Sequence, residues 1–116
     1  MKKPYLFIPA ILYMALIYFM SSQPRLLLDL PEISHADKWM HFMAYALLCF
    51  LLGMAALKNE FNRPWVWAFM VASLYGASDE IHQYFVPGRQ ADFYDWFADS
   101  LGALSVTLFA QIKTES

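Results

Sequence analysis

The chain has 116 residues, of which 59% are hydrophobic, 18% aromatic and only 16% charged. This composition disfavours an ordinary soluble domain, and the length fits one domain over residues 1–116. The net charge of −2 supplies no basic stripe, so the sequence predicts no nucleic-acid partner. The single cysteine, Cys49, excludes an intramolecular disulfide and predicts a packing role.

Four apolar segments predict helices that cross a lipid bilayer. The first follows Lys2 and Lys3 and carries no charge over residues 4–24. At about 1.5 Å per residue it can cross a hydrocarbon core of about 30 Å, and it is longer than a usual signal-peptide core. The other predicted spans are residues 39–57, 62–82 and 94–112. We therefore predict an all-α fold, a four-transmembrane-helix bundle embedded in the lipid bilayer.

The distribution of Lys and Arg predicts how this bundle is oriented. Four spans put both termini on one side, and cytoplasmic loops carry the excess of basic residues. The side of the termini would hold five basic residues against three on the other side. They are Lys2, Lys3, Lys58, Arg63 and Lys113, against Arg25, Lys38 and Arg89. We therefore expect a multi-pass protein with both termini in the cytoplasm.

Ionisable residues of three spans fall at one depth. Counted from the cytoplasmic end of each span, His41, Asp79 and Asp99 lie about 20 to 24 Å up, near the outer face. A charge there costs roughly 1 to 3 kcal/mol, so these side chains should avoid lipid. Helical spacing also gives each of these three spans one polar face. The second span presents Lys38, His41 and Tyr45, and the fourth presents Asp92, Asp95, Asp99 and Gly102. The third presents Tyr75, Asp79 and His82, with Gly76, Glu80 and Gln83 beside them. The three faces are expected to turn inward around a polar pocket that opens outward.

This predicted pocket contains more acids than bases. Its acids are Asp37, Asp79, Glu80, Asp92, Asp95 and Asp99, and its bases are Lys38 and Arg89, with His41 and His82 able to take protons. The carboxyl groups cannot all stay ionised at low dielectric, so we expect some to be protonated, to reach water, or to share a cation. The Pro87-Gly88 turn would carry Arg89 over the pocket, where it could bind a nearby carboxylate or a lipid phosphate.

The residue types allow several functions. In an enzyme, Asp79 or Glu80 would act as a base beside His82 on a lipid-linked substrate, but no nucleophile motif accompanies them. In a binding protein, the pocket would hold an amphiphile's headgroup. The cluster could also be purely structural, and transport is disfavoured because residues 46–57 and 101–112 are almost wholly apolar. The residues predicted to bind the ligand are Lys38, His41, Tyr45, Gln83, Arg89, Asp92, Asp95 and Asp99.

Metal binding is a further possibility. His41, His82, Asp79 and Glu80 are metal-ligand types with permissive spacing, but no His-Glu-x-x-His or similar signature contains them, and an interhelical hydrogen-bond network is the simpler description. The sequence therefore assigns no metal site, leaves open whether a metal binds, and leaves any cofactor and any protein partner unassigned.

Several short motifs resemble one known family. They are Asp37-Lys38-Trp39-Met40-His41-Phe42 with Tyr45, Ser73-Leu74-Tyr75-Gly76, Asp79-Glu80-Ile81-His82-Gln83, Phe85-Val86-Pro87-Gly88-Arg89, Asp95 and Leu101-Gly102. Over residues 37–102 the chain resembles the VanZ-like membrane proteins. Two positions depart from that pattern: Asp99, where the family usually has Asn, and Val106, where it often has a second glycine.

The resemblance implies a small bacterial inner-membrane protein of the cell envelope. The founding member of the family is associated with low-level teicoplanin resistance, which implies a contribution to glycopeptide tolerance. No agreed catalytic activity accompanies the family, so whether the chain is an enzyme stays open. Asp99 in place of Asn makes the predicted pocket more acidic.

Overall fold

The computed structural model describes residues 2–22, 34–86 and 93–115. A 3₁₀ turn, Pro4–Phe7, leads into α1, Ile8–Ser22. Three longer helices follow: α2, Ser34–Lys58; α3, Pro64–Tyr84; and α4, Phe93–Glu115. The described residues contain these four α-helices and no strand, so the all-α prediction is confirmed.

The turn between α2 and α3 is tight. Phe61 N–H donates to the Ala56 carbonyl at 3.0 Å, which closes the last turn of α2. Glu60 and Arg63 adopt positive φ values of 62° and 53°, and the left-handed conformation reverses the chain. Pro64 then begins α3, where its fixed φ favours a helix and its missing N–H leaves no donor unused. The short turn makes α2 and α3 antiparallel neighbours.

Helices α2, α3 and α4 pack against one another along their lengths, and α1 lies at the edge against α2 and α3. Small residues permit the close approach of α2 and α4. A Cβ atom on Gly102 would lie 2.1 Å from the Phe42 carbonyl oxygen, so only glycine fits there. The centre contains Leu48, Leu52 and Ala103, all buried. This tight α2–α4 contact fixes which polar residues of the two helices meet.

Two segments, Pro4–Ser22 and Lys38–Lys58, are long and apolar enough to cross a membrane. Only Ala10 and Ser21 of α1 are buried, so most of this apolar helix is exposed. Helices α3 and α4 carry acids but also expose large apolar side chains, including Met70, Leu74, Ile81, Phe97, Leu108, Phe109 and Ile112. An apolar surface of this extent is unusual for a soluble monomer. It favours a membrane protein, and the four-span bundle stays a prediction.

The observed helices overlap the four predicted spans. Helix α1 lies within the first span, whereas α2 begins at Ser34 rather than near residue 39, and α4 ends at Glu115 rather than near residue 112. At these ends, helical hydrogen bonding continues into polar residues that flank the apolar segment.

Candidate functional site

Polar contacts between helices gather at one end of the bundle. Ser22 Oγ at the end of α1 lies 2.8 Å from His82 Nε2 near the end of α3. Lys38 Nζ near the start of α2 lies 2.7 Å from Asp95 Oδ1 near the start of α4. We call this end, defined by Ser22, Lys38, His82 and Asp95, the polar end. At the opposite end the Asn59 side chain bonds the backbone of Lys3, so the helices alternate in direction.

Asp95 lies between Lys38 and His41. Its Oδ1 accepts a hydrogen bond from Lys38 Nζ at 2.7 Å, and its Oδ2 lies 3.8 Å from His41 Nε2. The Asp95 side chain is 8% exposed, whereas the Lys38 side chain is 31% exposed. The ion pair therefore has a buried acid and a base that reaches the surface. The sequence analysis placed both residues in one site, and the structure brings them together.

A second contact between a base and an acid lies deeper in the same helix interface. His41 Nδ1 lies 2.7 Å from Asp99 Oδ1, and the Asp99 side chain is fully buried. Gly76 of α3 faces Asp99: a Cβ atom there would lie 2.9 Å from Asp99 Oδ2. Glu80, one helical turn beyond Gly76, offers a carboxylate oxygen within 4.8 Å of ligand atoms of His41 and Asp99. We call His41, Glu80 and Asp99 the buried triad.

The polar residues of α3 divide between two faces. Tyr75 donates its hydroxyl proton to the Met14 carbonyl at 2.6 Å, and His82 stacks on Tyr18 with ring centroids 4.4 Å apart. Both residues therefore face α1, whereas Gly76 and Glu80 face the other two helices. The sequence predicts that His82 handles protons together with Asp79 or Glu80. In the structure His82 contacts α1 rather than the buried triad.

The Ser22 hydroxyl has two partners. Ser22 Oγ lies 2.8 Å from the Tyr18 carbonyl, to which it can donate, and 2.8 Å from His82 Nε2. When the hydroxyl proton points to the Tyr18 carbonyl, Ser22 accepts a hydrogen bond from His82 Nε2–H, and a nitrogen that carries a proton cannot act as the base for this serine.

The remaining predicted site residues lie in different surroundings. Tyr45, Asp79 and Gln83 are all buried. The Tyr45 ring lies 6.4 Å from the Tyr75 ring, and its hydroxyl has no hydrogen-bond partner among the described residues. Two predicted ligand-binding residues, Arg89 and Asp92, lie outside the described residues.

Sequence reasoning missed a set of contacts that hold α3 and α4 together beside the site. Trp96 Nε1 donates to the Ser73 carbonyl at 2.9 Å, and the hydroxyls of Ser73 and Ser100 lie 2.8 Å apart. Helical spacing is the signal that could have found them, because Trp96 and Ser100 share one face of α4. These bonds fix the positions of Gly76 and Asp99, which lie close by in sequence.

Away from the polar end, hydrogen bonds between neutral groups join the helices. Thr107 donates its hydroxyl proton to the Trp65 carbonyl at 3.0 Å, and Cys49 Sγ lies 3.4 Å from Thr107 Oγ1. Cys49 is fully buried beside Leu48 and Leu52, in agreement with the predicted packing role. The contacts of Lys38 and His41 with Asp95 and Asp99 lie toward the polar end.

Comparison with known proteins identifies a family for the chain. The family model described as VanZ/LLP1 matches residues 6–114, a range that contains every described residue of the site. Comparisons with curated proteins and with solved structures gave no match. The match supports a cell-envelope protein of the VanZ-like type. Since it covers nearly the whole sequence and agrees with the resemblance of the motifs, the chain belongs to the VanZ/LLP1 family.

Proposed function

We propose that this chain is a multi-pass protein of the bacterial inner membrane that binds the anionic headgroup of an amphiphilic or lipid-linked ligand. The headgroup binds at the polar end, which faces outward, and both termini are cytoplasmic. The observation that carries the proposal is the Lys38–Asp95 ion pair, in which the base is 31% exposed and the acid almost fully buried.

An incoming anion can replace Asp95 as the partner of Lys38. A phosphate or carboxylate that reaches the exposed ammonium group forms a charge-assisted hydrogen bond of the same kind. Asp95 then keeps a neighbour, because its other oxygen lies 3.8 Å from His41 Nε2. The exchange leaves no buried carboxylate isolated, which is the arrangement that would be most costly.

Apolar side chains around the polar end support an amphiphilic ligand rather than a water-soluble one. Trp39 and Met40 follow Lys38 directly and are 62% and 52% exposed. Phe93 and Tyr94, which precede Asp95, are each 68% exposed. A headgroup held by Lys38 would place its acyl or prenyl tail along these side chains, where burial of apolar area favours binding.

Native mass spectrometry of the detergent-purified protein tests this proposal. The probe is a polyprenyl phosphate, and the uncharged polyprenol with the same tail is its control. We expect the phosphate to bind more tightly than the alcohol and Lys38→Gln to weaken phosphate binding about tenfold, because a hydrogen bond to a charged group contributes about 1.5 to 3 kcal/mol. Lys58→Gln, at the opposite end of α2, is the matched control. Equal binding of the two probes, or equal loss in both variants, would contradict the proposal.

Glycopeptide tolerance is the cellular consequence we propose. A protein that binds lipid-linked headgroups would reduce the number of those headgroups that a glycopeptide antibiotic can reach at the membrane. Expression of the wild-type chain in a susceptible bacterium should raise the teicoplanin concentration needed to stop growth. Lys38→Gln at equal expression should abolish the increase, and Lys58→Gln should preserve it. An increase that survives Lys38→Gln would separate tolerance from headgroup binding.

An enzyme is the second candidate, favoured by the buried carboxyl groups of Asp79 and Glu80 on α3. Incubation of the protein with the polyprenyl phosphate distinguishes the two functions. A mass change in the lipid, lost in Asp79→Asn or Glu80→Gln, would indicate acid–base catalysis. An unchanged lipid that remains bound supports the binding function. A purely structural cluster would bind neither probe and would tolerate paired apolar replacements.

A further inference from the structure

The buried triad has the chemical composition of a metal site. His41, Glu80 and Asp99 come from α2, α3 and α4, and each offers a ligand atom within 4.8 Å of the other two. Asp99 is fully buried and Glu80 is 8% exposed. Imidazole nitrogen and carboxylate oxygen are donors that zinc and manganese bind in proteins.

Two buried oxygen atoms at this position have no hydrogen-bond partner among the described residues. They are Asp99 Oδ2, within the triad, and the Tyr45 hydroxyl. Tyr45 is 1% exposed, lies one helical turn from His41 on α2, and is within electrostatic reach of Glu80 and Asp99. Buried polar atoms are nearly always paired, so these two oxygens indicate a group that the described side chains do not provide.

Glycine at position 76 lets α3 pack directly against the Asp99 carboxylate. A Cβ atom there would approach Asp99 Oδ2 to 2.9 Å, so a larger residue would press on the carboxylate. The close approach of the two helices brings Glu80, one helical turn further along α3, within 4.8 Å of Asp99.

Charge also favours a cation. The neighbouring Lys38–Asp95 pair is electrically neutral. Glu80 and Asp99 carry two negative charges when both are ionised, and the buried Asp79 also lies within electrostatic reach of Asp99, so a divalent cation would offset an excess of acid. A buried cation with matched carboxylates avoids the penalty of leaving like charges close together at low dielectric. We infer that His41, Glu80 and Asp99 bind a divalent transition-metal ion, such as Zn²⁺ or Mn²⁺.

Binding requires a small rearrangement. Metal–ligand bonds of about 2.0 to 2.2 Å bring ligand atoms closer together than 4.8 Å, and rotation of the Glu80 side chain can provide the contraction. The ion replaces the proton shared between His41 and Asp99, and that proton leaves to solvent. Three protein ligands leave a coordination position for water, near the Tyr45 hydroxyl. The metal site adjoins the headgroup site, because His41 also neighbours Asp95, but the headgroup itself is held by Lys38.

Metal content and affinity test the inference directly. The detergent-purified protein is stripped with EDTA, freed of the chelator and titrated with Zn²⁺ or Mn²⁺ in a calorimeter, without added lipid. We expect about one equivalent to bind with micromolar affinity or tighter, and elemental analysis of the reloaded, washed protein to find it. Less than about a tenth of an equivalent would overturn the inference, because a specific site approaches full occupancy. Equal affinity for Mg²⁺ would also overturn it, since Mg²⁺ does not favour imidazole.

Conservative variants locate the ion. Asp99→Asn and Glu80→Gln keep the shape of the side chain and should each lower the affinity at least tenfold, with an unchanged helical circular-dichroism spectrum. Glu60→Gln, exposed in the α2–α3 turn, should leave the affinity unchanged. Binding that survives both triad variants would place the ion elsewhere and refute the site. Polyprenyl phosphate binding measured in EDTA tests headgroup binding independently, so one proposal can fail without the other.

Discussion

His41 and Asp99 are joined across the α2–α4 interface by a 2.7 Å contact between Nδ1 and Oδ1. The contact lies below the surface, because Asp99 is fully buried and the His41 side chain is 15% exposed. Removal of one partner of a buried ion pair strands the other in a medium that solvates charge poorly. The stability of the bundle should therefore depend on His41 through its effect on Asp99.

His41→Ala should lower the free energy of unfolding by about 3 kcal/mol, since it leaves the Asp99 carboxyl buried without its partner. The double variant His41→Ala/Asp99→Asn should recover part of the loss, because an amide carries no charge. Thermal unfolding in detergent with EDTA, followed by tryptophan fluorescence, measures both changes without a contribution from metal. A single variant as stable as the wild type would show that the pair carries no net energetic role, and equal loss in both variants would show that an unpaired Asp99 charge is not the cause.

Gly102→Ala should disrupt the packing of α2 against α4. The new Cβ atom would lie 2.1 Å from the Phe42 carbonyl oxygen, a backbone atom that cannot move without displacing the helix. We expect a loss of about 2 kcal/mol or more of stability, as for overpacking in a rigid core. Ser105→Ala, on the exposed side of the same helix, is the control. If both variants unfold at the wild-type temperature, α2 and α4 do not approach each other as closely at Gly102 as the structure shows.

The sequence was sufficient to predict which residues lie at similar depth. Lys38 and Asp95 pair in the structure, and so do His41 and Asp99. These pairings follow from helical rise and periodicity, because residues at the start of α2 and of α4 enter the bundle at the same end. Helical rise and periodicity depend only on the positions of residues in the sequence, so the depth of a residue in a helix can be predicted from the sequence alone.

The rotation of each helix about its axis could not be predicted in the same way. Tyr75, Asp79 and His82 share a face of α3, but the sequence does not say which neighbour that face meets. The structure shows contacts from Tyr75 and His82 to α1, a helix without charges that the sequence analysis left out of the site. Rotation is decided by the packing of all four helices together, here by close contacts at glycine such as that of Gly102.

Asn59 ties the start of the chain to the end of α2. Its side-chain amide donates to the carbonyls of Ala55 at 2.9 Å and Lys3 at 3.1 Å, and its carbonyl accepts from the Lys3 N–H. Asn59→Ala should free residues 2–7, and limited proteolysis should cut there faster than in the wild type. Asn62→Ala, exposed in the same turn, should leave cleavage unchanged. Equal protection of both variants would show that other contacts hold this segment.

The proposed orientation makes opposite predictions for the two ends of α3. Cys49 is buried, and Cys49→Ala gives a background without thiols. In that background Phe85→Cys places a thiol at the polar end, where Phe85 is 75% exposed, and Asn62→Cys places one at the other end. In spheroplasts, whose inner membrane is intact, a membrane-impermeant maleimide should label Phe85→Cys. It should label Asn62→Cys only after lysis. The reverse pattern would put the polar end in the cytoplasm. Lys38 would then meet cytoplasmic phosphates rather than lipid-linked headgroups of the outer leaflet, and the proposed role in glycopeptide tolerance would lose its physical basis.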